Sequence, residues 1–114
     1  MQWTSDQPIY QQVRDHVVSL IIDGVLKAGD PIPSVRQMAV EGGVNPLTVS
    51  KAYQELVDLQ IVEKRRGLGM FITPLAQKEL LKLEKDKFLK GEWPLILKRA
   101  DQLNINLTDL LKKR

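Results

Sequence analysis

The chain has no cysteine and only one histidine in 114 residues. Without cysteine there are no disulfides, no thiolate metal sites and no cysteine nucleophile, which fits a cytoplasmic protein. The lone His16 lies at the edge of an apolar helical stripe, with no carboxylate cluster beside it in the sequence. One imidazole makes neither a metal centre nor an acid–base pair, so no catalytic residue, metal or cofactor is expected. The opening MQWTSDQPIY has no basic stretch followed by an apolar one, so no secretory leader is expected. The longest apolar run, VVSLII, falls far short of the roughly 20 residues that span a bilayer, and no membrane partner is expected.

A large excess of one charge is also lacking. The net charge is +3, from 17 basic and 14 acidic residues. Residues 1–74 hold seven Lys/Arg against eight Asp/Glu, while residues 75–114 hold ten against six. Bulk charge therefore does not mark a nucleic-acid binder, and any such reading must rest on where individual cations sit.

What is present is punctuation for several short helices. Asp6 and Pro8 precede Ile9, Val13, Val17, Leu20 and Ile21, which recur at helical spacing and predict a first helix ending near Gly24. KAGDPIP reads as a turn. Ser34 with Gln37 three residues later predicts a capping box, with Ser accepting the third amide and Gln reaching back to the cap amide. This second helix turns Val35, Met38 and Ala39 inward and stops at Gly42-Gly43. Asn45-Pro46 then restarts a third helix, with Asn as cap and Pro in the first turn, running to about Leu59.

Ala39, Gly43 and Val49 stand at offsets of four and six residues. A helix-turn-helix needs such a set: a small residue where two helices cross, a turn residue tolerant of positive φ, and an aliphatic plug on the second helix. The alternative is a plain helical hairpin. IVEK and MFIT flank RRGLG and predict a β-hairpin. That hairpin is the wing of a winged helix, and Lys64, Arg65 and Arg66 at its tip repel one another unless an anion sits between them. Contact with phosphate or the minor groove is expected there.

The segment IPSVRQMAVEGGVNPLTVSKAYQELVDLQIVEKRRGLGMFIT, preceded by QPIYQQVRDHVVSLIIDGVLKAGD, resembles the DNA-binding domain of GntR-family bacterial transcription regulators. VNP followed by KAY, with so short a C-terminal part, resembles the YtrA-like branch. The resemblance implies a mainly α fold with a small β-hairpin, namely a winged helix-turn-helix domain over residues 1–74 and a helical dimerisation tail over 75–114. It implies that Arg36 touches DNA backbone or a base, that Thr48 meets phosphate, and that Asn45, Leu47, Ser50 and Lys51 face the major groove. Arg65 is counted with the wing, whose Arg66 and Gly67 approach the minor groove. Leu47 departs from the branch, where a polar residue is expected; it cannot hydrogen-bond a base, but it can pack on a thymine methyl. The amino end of the third helix is expected to attract a phosphate through whichever amides Asn45 leaves free.

Beyond Pro74 a charged helix is expected to about Lys90, broken by GEW, with a further helix starting at Pro94 and a short last one at Thr108. Ala76, Leu80 and Leu83 share one side of the first tail helix, and Leu81 and Phe88 another, which suggests two partners. Leu81, Phe88, Trp93, Ile96 and Leu97 form the expected dimer interface. The expected function is that of a dimeric repressor on a palindromic duplex operator, with half-sites about one helical turn apart. A winged-helix protein-binding or RNA-binding module is the other reading. The sequence names no operator and no small-molecule effector.

Overall fold

In a computed structural model describing residues 2–112, the chain divides into two compact units, one through Leu80 and the other from Leu81. The first unit begins with α1 (Ile9–Ile22), α2 (Val35–Gly42) and α3 (Pro46–Asp58). Strands β1 (Val62–Arg65) and β2 (Gly69–Ile72) follow as an antiparallel hairpin. The amino-terminal part of α4 (Ala76–Lys87) completes it.

One core holds these elements. Val13, Val17 and Ile21 of α1 pack with Met38 and Ala39 of α2 and with Val49, Ala52, Tyr53 and Leu56 of α3. Ile61, Val62 and Ile72 close it from the hairpin side, and Ala76 and Leu80 add the first turns of α4. Because these two residues belong to this core, the first unit reaches Leu80, beyond the boundary of 74 suggested by Pro74. Leu83, expected on the same side, is exposed, as is Leu81.

The helix signals act largely as read. Ser34 Oγ accepts the Gln37 amide at 3.0 Å. The reciprocal half of the box is absent, because Gln37 Nε2 donates to Glu41 Oε1 instead. Gly43 closes α2 in the left-handed region at φ 62°, where a side chain would be strained. Pro8 occupies the cap position of α1, one residue before its first turn. The amino-terminal segment is tied down by two contacts that periodicity does not show. Trp3 Nε1 donates to the Gly42 carbonyl at 2.8 Å. Buried Gln12 donates to the Thr4 and Gln7 carbonyls and accepts from the Thr4 amide, each at 2.8 Å.

In the second unit the expected break at GEW is a π turn. Residues Phe88–Glu92 form it, between α4 and α5 (Trp93–Gln102), and Trp93 N–H donates to the Phe88 carbonyl. The cause is Pro94, which has no N–H and whose ring would collide with the carbonyl four residues back in a regular helix. Widening one turn relieves the collision without ending the helix. Phe88 and Trp93 rings lie 6.2 Å apart across this turn. Helix α6 (Leu107–Lys112) follows; Lys113 and Arg114 lie outside the described residues.

Candidate nucleic-acid interface

Helix α3 is fixed in rotation by what it buries. Val49, Ala52, Tyr53 and Leu56 are inaccessible to solvent or nearly so. The Tyr53 hydroxyl donates to the Pro33 carbonyl at 2.8 Å, and Arg14 of α1 donates to Glu55 at 2.7 Å. Burial opposes the Arg14 charge, but hydrogen bonds to Glu55 and Asp15 outweigh it and raise the guanidinium pKa. Burial also pushes the Tyr53 phenol well above its ordinary range, with a smaller push from Glu41.

With that face locked inward, Leu47, Ser50, Lys51 and Gln54 are exposed together, and Thr48 is half-buried on the flank. Leu47 is 80% exposed. A leucine so placed contributes nothing to the core, although its helix is held by four buried neighbours. Lys51 does not extend freely: its ammonium sits 3.9 Å from the centroid of the Tyr10 ring on α1. Gln54 donates to Asp58 at 2.9 Å.

The amino end of α3 differs from expectation. Pro46 has no N–H, Leu47 N–H donates to Asn45 Oδ1 at 2.8 Å, and the Thr48 and Val49 amides donate to the Asn45 carbonyl. None of the first four amides is left for a phosphate, because one asparagine accepts from all three that exist. The carboxamide NH₂ of Asn45 remains as its donor.

Arg36 lies exposed in the first turn of α2. In the wing, residues pair Val62 with Ile72, Glu63 with Phe71, Lys64 with Met70 and Arg65 with Gly69. Side chains alternate across a strand, so Glu63, Arg65 and Phe71 share one face, and Val62, Lys64, Met70 and Ile72 the other. Arg65 is engaged on its own face, donating to Glu63 at 2.8 Å and stacking 4.4 Å from the Phe71 centroid. Lys64 and Arg66 have no carboxylate partner among the described residues. Gly67 and Gly69 turn the tip at φ 77° and 117°, with exposed Leu68 between them.

The structure thus brings Asn45, Leu47, Ser50 and Lys51 onto one exposed surface and sets Arg66 and Gly67 at a separate hairpin tip. Sequence reading missed Tyr10 as the rest for Lys51, and nothing in the sequence links residues 41 positions apart. It also passed over Leu68, although an apolar residue between two glycines at a turn was a visible signal.

Residues 9–72 match the family described as bacterial regulatory proteins, gntR family. The chain belongs to the GntR family. The HTH-type transcriptional regulator YhcF of Bacillus subtilis is 36% identical over 111 residues, spanning 97% of this chain and 90% of that protein. The HTH-type transcriptional repressor YtrA of Bacillus subtilis is 37% identical over 102 residues, spanning 90% and 72%. Among solved structures, a GntR family transcriptional regulator from Listeria monocytogenes superposes with a TM-score of 0.75 at 29% identity, covering 98% of this chain and 99% of that one. The DNA-binding domain of AraR in complex with operator ORE1 superposes with a TM-score of 0.58 at 27% identity, covering 63% and 90%. This GntR-family chain is therefore a DNA-binding transcription regulator of winged-helix fold and the YtrA-like branch. Its relatives are regulators, not enzymes. Among the described residues no helix is long and apolar enough to cross a membrane.

Proposed function

We propose that the protein is a cytoplasmic, dimeric repressor that reads a palindromic duplex operator. The observation that carries this reading is the division of α3, whose inner face is fully buried while Leu47, Ser50 and Lys51 are presented outward. In the proposed complex α3 lies in the major groove. Asn45, through its carboxamide NH₂, and Leu47, Ser50 and Lys51 meet base edges. Arg36 and Thr48 set the register on phosphates. Arg66 and Gly67 approach the minor groove, with Arg65 beside them supporting the wing through Glu63 and Phe71. The solved AraR–operator complex supports this mode by likeness of fold.

Dimerisation is assigned to the second unit. Leu81, Phe88, Ile96 and Leu97 are exposed large apolar residues there, and Trp93 is half-buried beside them. Such a density of apolar surface marks an interface. Two protomers related by a two-fold axis read half-sites about one helical turn apart.

Selection of genomic fragments by the purified protein, followed by titration at several salt concentrations, tests the proposal. Each lost phosphate contact lowers the salt slope by about one. An affinity unchanged between low and high salt would sink the DNA-reading proposal, and a monomer at micromolar concentration by sedimentation would sink the dimer.

A further inference from the structure

Between the wing and the start of α2 lies a cleft of ≈ 690 Å³. This lies within the range of small-molecule sites, roughly 300–1,000 Å³. Its lining is mostly apolar, with Ile32, Val35, Leu68 and Met70 supplying hydrocarbon, and Lys64, Arg65 and Arg66 lie along it as cations, Arg65 being the one paired with a carboxylate.

The position of Lys64 is informative. It stands on the same strand face as buried Val62 and Ile72 and directly across from half-buried Met70. Lys64 itself is exposed, at the open end of that face. The neighbouring carboxylate, Glu63, is on the opposite face and is taken by Arg65. The cleft therefore joins an apolar floor to two cations lacking carboxylate partners. The first turn of α2, at Ser34 and Val35, also lines it and adds the positive end of a helix dipole.

We propose that this cleft binds a small amphipathic anion, a carboxylate on a compact apolar body, with the carboxylate on Lys64 and Arg66 and the apolar part against Val35, Leu68 and Met70. An occupied cleft withdraws those two cations from DNA, so the ligand acts as an effector within the DNA-binding unit. That regulatory consequence rests on the proposed DNA reading; the binding site does not.

The test titrates the full-length, isotope-labelled protein with decanoate below its micellar concentration, without DNA, and follows backbone amide shifts. Saturable shifts at Ile32, Val35 and residues 64–70 are expected. The double variant Lys64→Gln, Arg66→Gln should bind about tenfold more weakly, as lost charge-assisted contacts predict. Both substitutions are at exposed positions, and unchanged amide dispersion verifies folding. Shifts confined to residues 81–112, or equally tight binding of uncharged decanol, overturn the site. In a second arm, decanoate is added to the protein bound to its selected genomic fragment. Weakened DNA binding is expected; unchanged DNA binding overturns the effector role. Fragment binding without decanoate tests the DNA reading by itself, so the two failures are distinguishable.

Discussion

The ammonium of Lys51 rests 3.9 Å from the centre of the Tyr10 ring, so the exposed face of α3 is held partly by a residue on α1. An exposed cation–π contact contributes about 0.5–1 kcal/mol. Tyr10→Phe keeps the ring and should leave DNA affinity and base preference unchanged. Tyr10→Leu should cost up to about 1 kcal/mol of stability and weaken discrimination at the base pair that Lys51 faces. Operator variants measured against both proteins check this; equal behaviour of the Phe and Leu variants would show that the stack does not position Lys51.

Asn45 has two assigned tasks, and they separate by substitution. Asn45→Ala removes the Oδ1 that accepts from Leu47 and should lower stability by about 1 kcal/mol. Asn45→Ser should retain most of the cap while losing the carboxamide donor. Chemical denaturation should therefore rank wild type near Ser and above Ala, while base preference should change in both variants. A Ser variant with wild-type base preference would restrict Asn45 to capping.

Leu47→Asn should leave stability within about 0.5 kcal/mol, since the side chain is 80% exposed. If Leu47 packs on a thymine methyl, replacing that thymine with uracil should weaken wild-type binding and leave the Asn variant indifferent. Equal sensitivity of the two proteins to every thymine-to-uracil exchange would remove Leu47 from base reading.

Much of this was legible in the sequence because it depends on local rules. Ser34, Gly43 and Asn45-Pro46 act through their own backbone neighbours, so caps and turns follow from residue type and spacing. The buried faces of α1 and α3 follow from periodicity. Contacts between distant segments left no such trace: Tyr10 under Lys51, Trp3 on Gly42 and Gln12 within the amino-terminal segment depend on tertiary placement. The reach of the first core into α4 was half legible, since Ala76 and Leu80 share an apolar side, while Pro74 looks like an ending. The π turn was half legible, since Pro94 demanded relief but did not reveal whether the helix would stop or widen.

Tyr53 should make stability depend on alkaline pH. Its pKa in the folded chain is raised above the ordinary 10.0 by burial first and Glu41 second. Folding thus favours the neutral phenol: this contribution is intact below about pH 10 and falls as pH rises towards the folded-state pKa. Tyr53→Phe should lose about 1 kcal/mol at neutral pH, with the hydrogen bond to Pro33, but decline less above pH 10. Urea midpoints across that range measure both effects, and parallel declines in the two proteins would exclude Tyr53 as the titrating group.

The π turn has a consequence for phase. Counted at about 100° per residue, Leu81 and Phe88 lie within about 20° of each other on an α-helix. On an uninterrupted helix Ile96 and Ala100 would then be rotated about 60–100° away from Leu81. The wide turn at Phe88–Glu92 absorbs one extra residue, which returns Trp93, Ile96 and Ala100 to within about 40° of Leu81. The apolar residues on either side of the turn thereby fall on one stripe, and a chain lacking Gly91 and with Pro94 replaced would carry the same stripe on an unbroken α-helix.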